Sequence, residues 1–266
     1  AGRPQLAPCY GLSMTIRLLT RADVPSAMLL KEAAGWNQTE RDLMKLLEVA
    51  PESCFGIDKP GTRTNELVAT ASAVCYGSQL AWIGMVLTDP AYRGRGFARQ
   101  LMEHVLAWLD QRGIALVKLD ATDMGRPLYE KLGFVGECAV ERWGRDAAVS
   151  RLAVQPELPP GYDRALDLGA FGADRSAVVV RMAVECGSVD GGFAMGRAGS
   201  RAPYFGPCVA RTPRAARCLL EWFLARHPAE TVYWDLLPDN KEAVRLAEAH
   251  GFRRLRTLVR MARPAG

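Results

Sequence analysis

Apolar positions recur along this chain with two different periods, and the change from one to the other marks its elements. Between residues 96 and 112, Phe97, Leu101, Val105 and Trp108 fall on one stripe with Ala98, Met102 and Leu109 beside it, which predicts an amphipathic helix. Directly before it, AWIGMVLTDP (81–90) is a nearly continuous apolar run that stops at a proline, the pattern of a buried strand. Read the same way, the first half predicts strand 15–19, helices 24–34 and 39–50, strands 53–58, 66–76 and 81–88, helix 96–112, strand 115–121, helix 125–132 and strand 134–143. This is a mixed α/β pattern. The uncharged run 67–88 is long enough to be weighed as a membrane span, but YGSQ at its middle is a turn signal, so it reads as two strands joined by a hairpin. The Pro-rich stretch SRLAVQPELPPGY (150–162) reads as a linker.

The pattern is written twice. WIGMVLTDP (82–90) aligns with YFGPCVART (204–212), and VKLDATDMGRPLYEKLGFVGE (117–137) aligns with VYWDLLPDNKEAVRLAEAHGFRRL (232–255). Gly84 and Gly206 are 122 apart and Gly133 and Gly251 are 118 apart, a nearly constant offset that points to duplication. The expected organisation is two α/β units with mixed sheets in tandem, 14–150 and 162–263, with Met14 as the natural start. The copies differ in two places. Twelve residues separate Thr88 from Leu101 and contain DPAYRGRGFARQ, whereas eight separate Ala210 from Leu219 and contain no glycine. Tyr129 stands four residues before Gly133-Phe134, where the second copy has Ala247 before Gly251-Phe252. The first unit is expected to carry the chemistry and the second to have lost it.

Composition narrows the remaining classes. The chain has 266 residues, 49% apolar and 24% charged, which is globular rather than disordered. Net charge is +5, and all of the excess lies after residue 150. The basic run RRLRTLVR (253–260) alternates like a strand rather than forming a nucleic-acid stripe with interleaved aromatics, so no nucleic-acid partner is expected. The N-terminus lacks the apolar core of a secretory signal. Seven cysteines (Cys9, Cys54, Cys75, Cys138, Cys186, Cys208, Cys218) form no CxxC pair and are expected as buried free thiols of a cytoplasmic protein with no membrane and no metal. His104, His227 and His250 fall on predicted helices or their ends, where surface or capping roles are expected.

The Arg93-Gly94-Arg95-Gly96-Phe97-Ala98 loop has its own physical logic. Glycines let oxygens approach backbone N–H groups, and the following helix adds its free N-terminal donors and partial positive charge. A pyrophosphate fits there, with Arg93, Arg95 and Arg99 able to pair with further oxygens; the alternative is a solvated basic helix start. This loop, placed after a strand and before a helix, resembles the cofactor loop Arg/Gln-x-x-Gly-x-Gly/Ala of the GCN5-related N-acetyltransferase superfamily at Arg93, Gly96 and Ala98. PLYEKLGF (127–134) is similar to the segment that carries that family's catalytic tyrosine. The resemblance covers 14–145, and 163–262 as a degenerate copy. It departs at Thr122 and Gly125, where the family has Asn and Ala.

The resemblance implies acetyl transfer from acetyl-CoA to an amine. It implies that the 82–88 strand splays from its neighbour beyond Leu87, that Val86, Leu87 and Thr88 offer backbone groups to the pantetheine arm, and that the loop (Arg93 to Arg99) and Thr122 hold the rest of the cofactor. It implies Tyr129 as proton donor to the departing thiolate; the residues alone allow a half-buried core tyrosine. Asp120, Glu66, Glu32, Asp42 or a water chain could serve as base. In the join AAGWNQTERD, Trp36 and Asn37 are the candidates for contact with a small-molecule amine acceptor, the alternative being core packing and helix capping. A non-catalytic acyl-CoA-binding sensor or interaction protein is the competing reading of the whole chain. No oligomeric state is read from the sequence.

Overall fold

The structure, a computed structural model, describes residues 15–60, 66–147 and 157–264. Met14, Cys9 and residues 148–156 of the Pro-rich stretch lie outside the described residues. The first half folds as β1 (Ile16–Leu18), a 3₁₀ turn, α1 (Val24–Ala33), α2 (Glu40–Val49), β2 (Cys54–Asp58), β3 (Leu67–Tyr76), β4 (Leu80–Thr88), a second 3₁₀ turn, α3 (Phe97–Gln111), β5 (Leu116–Ala121), α4 (Arg126–Lys131) and β6 (Val135–Arg145). Each predicted element of this half ends within two residues of the observed one. The second half repeats the order as α5 (Arg164–Phe171), α6 (Ser176–Met182), β7 (Glu185–Val189), β8 (Gly192–Arg197), β9 (Tyr204–Ala210), α7 (Pro213–Arg226), β10 (Val232–Leu236), α8 (Lys241–Ala249) and β11 (Arg253–Pro264).

The two mixed-sheet units are not separate sheets. Among the described residues, eleven strands join one sheet in the order β1-β2-β3-β4-β5-β11-β6-β10-β9-β8-β7. β6, the last strand of the first half, pairs with β10 and β11, both of the second half. β11 pairs with β5 of the first half and with β6. The halves have therefore exchanged their final strands, and the boundary in sequence is not a boundary in space.

Side chains follow the exchange. Met261 of β11 is fully buried among Leu101, Leu119, Val117 and Phe134 of the first half, and Trp143 of β6 is buried among Leu219, Trp234 and Phe252 of the second. Each such side chain contributes about 1.5–3 kcal/mol by leaving water, so each half depends on the other for part of its own core. α3 and α4 cover one face of the first half; α1 and α2 cover the opposite face, over Leu67, Met85 and Leu87.

Several smaller expectations meet the structure here. Of the six described cysteines only Cys54 is buried, its thiol pushed up to about 12 by burial; the other five are half-buried rather than buried. His227 and His250 sit at the C-terminal ends of α7 and α8, and His104 packs edge-on against Phe55. The RRLRTLVR run is indeed strand, and Arg253, Arg254 and Arg260 pair with Asp146, Glu141 and Asp120.

Candidate active site

The loop between β4 and α3 is shaped by its glycines. Gly94 and Gly96 adopt φ of +74° and +86°, a region that a side chain disfavours. Nothing in the fold crowds Gly94, and only the end of the Gln100 side chain approaches Gly96. Their backbones face open space. Gly96 caps α3 without a side-chain bond, and the first helical bond runs from Gln100 N–H to Gly96 C=O. The N–H groups of Phe97, Ala98 and Arg99 are thus left without helical acceptors. Arg93 and Arg95 fold back onto the carbonyls of Thr88 and Ala91, Arg95 lies over the Tyr92 ring, and Arg99 pairs with Glu103 at 2.8 Å. These exposed contacts are weak, so the guanidiniums remain free to turn to an anion.

The matching helix of the second half begins differently. Thr212 caps α7 by accepting the Ala215 N–H at 3.2 Å, and Pro213 in its first turn has no N–H to offer. Two of the donors that α3 leaves open are therefore removed or satisfied in α7.

β4 and β5 run parallel but pair only at Ala81–Val117 and Trp82–Lys118. The splay starts after Trp82, earlier than the position beyond Leu87 expected from the resemblance. The cause is a bulge that the sequence did not reveal: Met85 sits at φ +50°, with the β3–β4 register shifting between Thr70 and Ser72. Thr70 Oγ1 donates to the Met85 carbonyl at 2.8 Å and Ser72 Oγ to the Gly84 carbonyl at 3.1 Å, which holds this uncommon backbone in place. Beyond Trp82, the edge of β4 that faces β5 makes no ladder bonds with it. That edge carries Val86, Leu87 and Thr88. β9 and β10 of the second half likewise pair only at Tyr204–Tyr233 and Phe205–Trp234.

Tyr129 lies on α4 with its ring edge against Phe134, in the same core cluster as Phe97 and Val86. It is only 8% exposed, and burial pushes its phenol up to about 12. It therefore stays protonated at neutral pH. Gly125 explains the departure from the family's alanine: a Cβ there would lie 2.9 Å from the Tyr129 ring. Thr122 shapes the turn into α4, its Oγ1 accepting the Gly125 N–H at 3.2 Å.

On the other face, Trp36 packs half-buried with Met85 and Leu87 of β4. A cavity beneath α1 and α2 reaches the same bulge and is lined by Val24, Leu43, Thr70, Ser72 and Met85. Asn37 does a different job from the one expected. It is 2% exposed; its Nδ2 donates to the Ala202 carbonyl at 2.8 Å, and its Oδ1 accepts the N–H groups of Arg201 and Ala202. Its amide is committed to the β8–β9 loop of the second half, which also donates Ser200 N–H to the Asn37 carbonyl and Ser200 Oγ to the Trp36 carbonyl. The alternative of helix capping falls to Thr39, which caps α2. The candidate bases all have cationic partners: Asp120 with Arg260, Glu66 with Lys59, Glu32 with Lys31 and Asp42 with Arg197.

Sequence reasoning did not single out the β8–β9 loop as the part of the second half that meets the α1–α2 junction. It also missed a cluster on the shared sheet, where Arg142 makes two 2.7 Å bonds to Asp235 beneath the rings of Tyr204 and Tyr233. Only strand order brings these residues together, so no local signal announced them.

Comparison with known proteins places this geometry. The acetyltransferase (GNAT) family matches residues 22–134, and an acetyltransferase (GNAT) domain matches residues 164–265. The uncharacterized N-acetyltransferase YitH of Bacillus subtilis is 27% identical over 156 residues, 56% of this chain and 53% of that protein. The chain thus spans about half the length of the curated relatives it matches. A proposed acetyltransferase from Pyrococcus horikoshii superposes over 100% of this chain and 94% of its own with a TM-score of 0.79 at 23% identity. A tandem GNAT protein from the clavulanic acid biosynthesis pathway superposes over 96% and 99% with a TM-score of 0.66 at 16% identity. At these identities the two structures speak to the fold alone. Among the described residues no helix is long and apolar enough to cross a membrane.

Proposed function

The chain belongs to the GNAT acetyltransferase superfamily, and on that premise we propose that it moves an acetyl group from acetyl-CoA to the amine of a small-molecule acceptor, using one CoA site per chain. The observation that carries the single site is the contrast between the two helix starts: α3 opens behind two left-handed glycines, whereas α7 is closed by Thr212 and Pro213. In this reading the amides from Gly94 to Ala98 hold the pyrophosphate with Arg93, Arg95 and Arg99 around it. The free edge of β4 from Val86 to Thr88 takes the pantetheine, and Thr122 shapes the turn beside it.

The Val86 N–H polarises the thioester carbonyl and stabilises the oxyanion formed when the neutral amine attacks. The carbon–sulfur bond then breaks, and Tyr129 gives its proton to the departing thiolate. Its burial supports this role, because a phenol held neutral is a donor rather than a base. Water carries the protons released from the nitrogen, one of them back to the Tyr129 phenolate, with no one carboxylate assigned as the base. Trp36 and the β8–β9 loop enclose the acceptor side, which favours a small molecule over a protein tail. Titration with CoA should show one site per chain, with acetyl transfer detected by mass spectrometry across a panel of amines; two equivalent CoA sites would overturn the division between the halves.

A further inference from the structure

The acceptor face of the sheet carries more positive charge than it neutralises. Around the α1–α2 junction and the exchanged strands stand Lys31, Arg142, Arg197, Arg201 and Arg256, against Glu32, Asp42 and Asp235. Four of these cations have assigned neighbours: Lys31 with Glu32 and Ser200, Arg142 with Asp235, Arg197 with Asp42, and Arg201 over Gly35 beside Glu32. Arg256 does not. Its Nε is buried without a partner, and its ionised form is disfavoured by burial first and then by Arg142 beside it, which Asp235, already bonded to Arg142, offsets only in part. A half-buried guanidinium facing another cation is costly in the folded protein alone, and such an orphan calls for an explanation.

Its place in the fold supplies one. β11 pairs with β5 up to Val259–Ala121, so Arg256 extends past the C-terminal end of β5, the end at which β4 and β5 diverge. In β11 it shares its face with Leu258 and Arg260; Arg260 binds Asp120 and lies over Trp82 on the side opposite the α3 core, which takes Val259 and Met261. Arg256 thus lines the same face as Trp36. One more polar atom buried without a partner lies at the end of β4, where it diverges from β5: Thr88 Oγ1.

We propose that the acceptor is an amine that also carries an anionic group, a carboxylate or a phosphate, and that Arg256 binds this group while the amine points to the thioester at the β4–β5 gap. The proposal rests on the acetyltransferase reading above. It assigns Arg256 a specificity role, with the Arg142–Asp235 pair as its neighbour and Arg201 as a further nearby cation. An anion there gains a charge-assisted bond, an effect of about 10- to 100-fold in affinity.

The test uses the full chain loaded with CoA. Amino acids are compared with their carboxamides, and amino sugars with their phosphate esters, by calorimetry and by acetyl transfer. The anionic member of at least one series should bind and react about 10- to 100-fold better than its neutral partner; which series does so separates carboxylate from phosphate. Arg256→Gln should collapse that ratio and Arg256→Lys should recover part of it. CoA affinity should not change, and resistance to urea should be equal or higher, since a half-buried guanidinium with an unpartnered Nε is removed. A wild type indifferent to the anion, or a Gln variant that keeps the preference, overturns the proposal. Failure of CoA itself to bind would instead overturn the acetyltransferase reading, and if CoA binds without turnover the calorimetric comparison still decides.

Discussion

Asp120 and Arg260 stand 140 positions apart in sequence and directly opposite each other in neighbouring strands, joined by hydrogen bonds of 2.9 and 3.1 Å. This pair ties β5 of the first half to β11 of the second, at the point where the final strands are exchanged. Residues 15–147 made alone should leave β6 with no partner strand and β5 with a bare edge. Expressed separately, the halves should co-purify as a one-to-one complex by light scattering; a well-folded, monomeric first half would show that the exchange is dispensable.

The open helix start leads to a second expectation. In Gly96→Val a branched side chain would meet a backbone φ of +86° and stand over the amides of α3. CoA binding measured by calorimetry should be lost while the far-UV spectrum stays native, and undiminished affinity in the folded variant would remove the basis for placing the pyrophosphate there.

For Tyr129→Phe the expected change is in kcat. Protonation of a leaving thiolate by a positioned group is worth on the order of 10²–10⁴ in rate, whereas affinity for acetyl-CoA should hold, because the interaction is made mainly in the transition state. Wild-type turnover in this variant would mean that water carries the proton. A wild-type protein that binds CoA and acetylates nothing would favour the sensor reading.

Asn37→Ala should loosen the seam between the halves. It removes three hydrogen bonds and leaves the Arg201 and Ala202 amides unpaired, a loss of about 2–4 kcal/mol. Urea denaturation checks this, and a variant as stable as wild type would show that the β8–β9 loop finds other partners.

His227 should make stability depend on pH. Burial opposes its charged form, but hydrogen bonds to Glu185 and Glu230 and their charges outweigh this and raise it above its usual value of 6.5. A folded value raised above the unfolded one contributes stability in full below the unfolded value and loses it as pH climbs through the folded one. Relative to His227→Gln, the wild-type urea midpoint should fall as pH rises from 6 to 9. Parallel curves for the two proteins would show that the histidine is not charged in the fold.

Much of this was legible because it is local. The stripe Phe97, Leu101, Val105 set α3, and the glycines of the loop marked where the open start of α3 differs from the capped start of α7. What escaped depends on contacts distant in sequence or on unusual backbone. Met85 has nothing in its side chain to signal φ +50°, so the splay was placed too late. Asn37 beside Trp36 looked poised for a ligand, and only the β8–β9 loop, about 165 residues on, shows where its amide is committed. Alternation in RRLRTLVR predicted a strand but not that three of its arginines would find carboxylates and Arg256 would not.

The exchange of strands also governs the order in which the molecule can be completed. β11 is last of the strands in sequence but sixth of eleven across the sheet. A chain emerging from the ribosome holds β5 and β6 for more than a hundred residues before the strand that must lie between them exists. For that interval the edges of β5 and β6 stand open to any passing strand, so shielding of the nascent chain from its neighbours guards against mispairing.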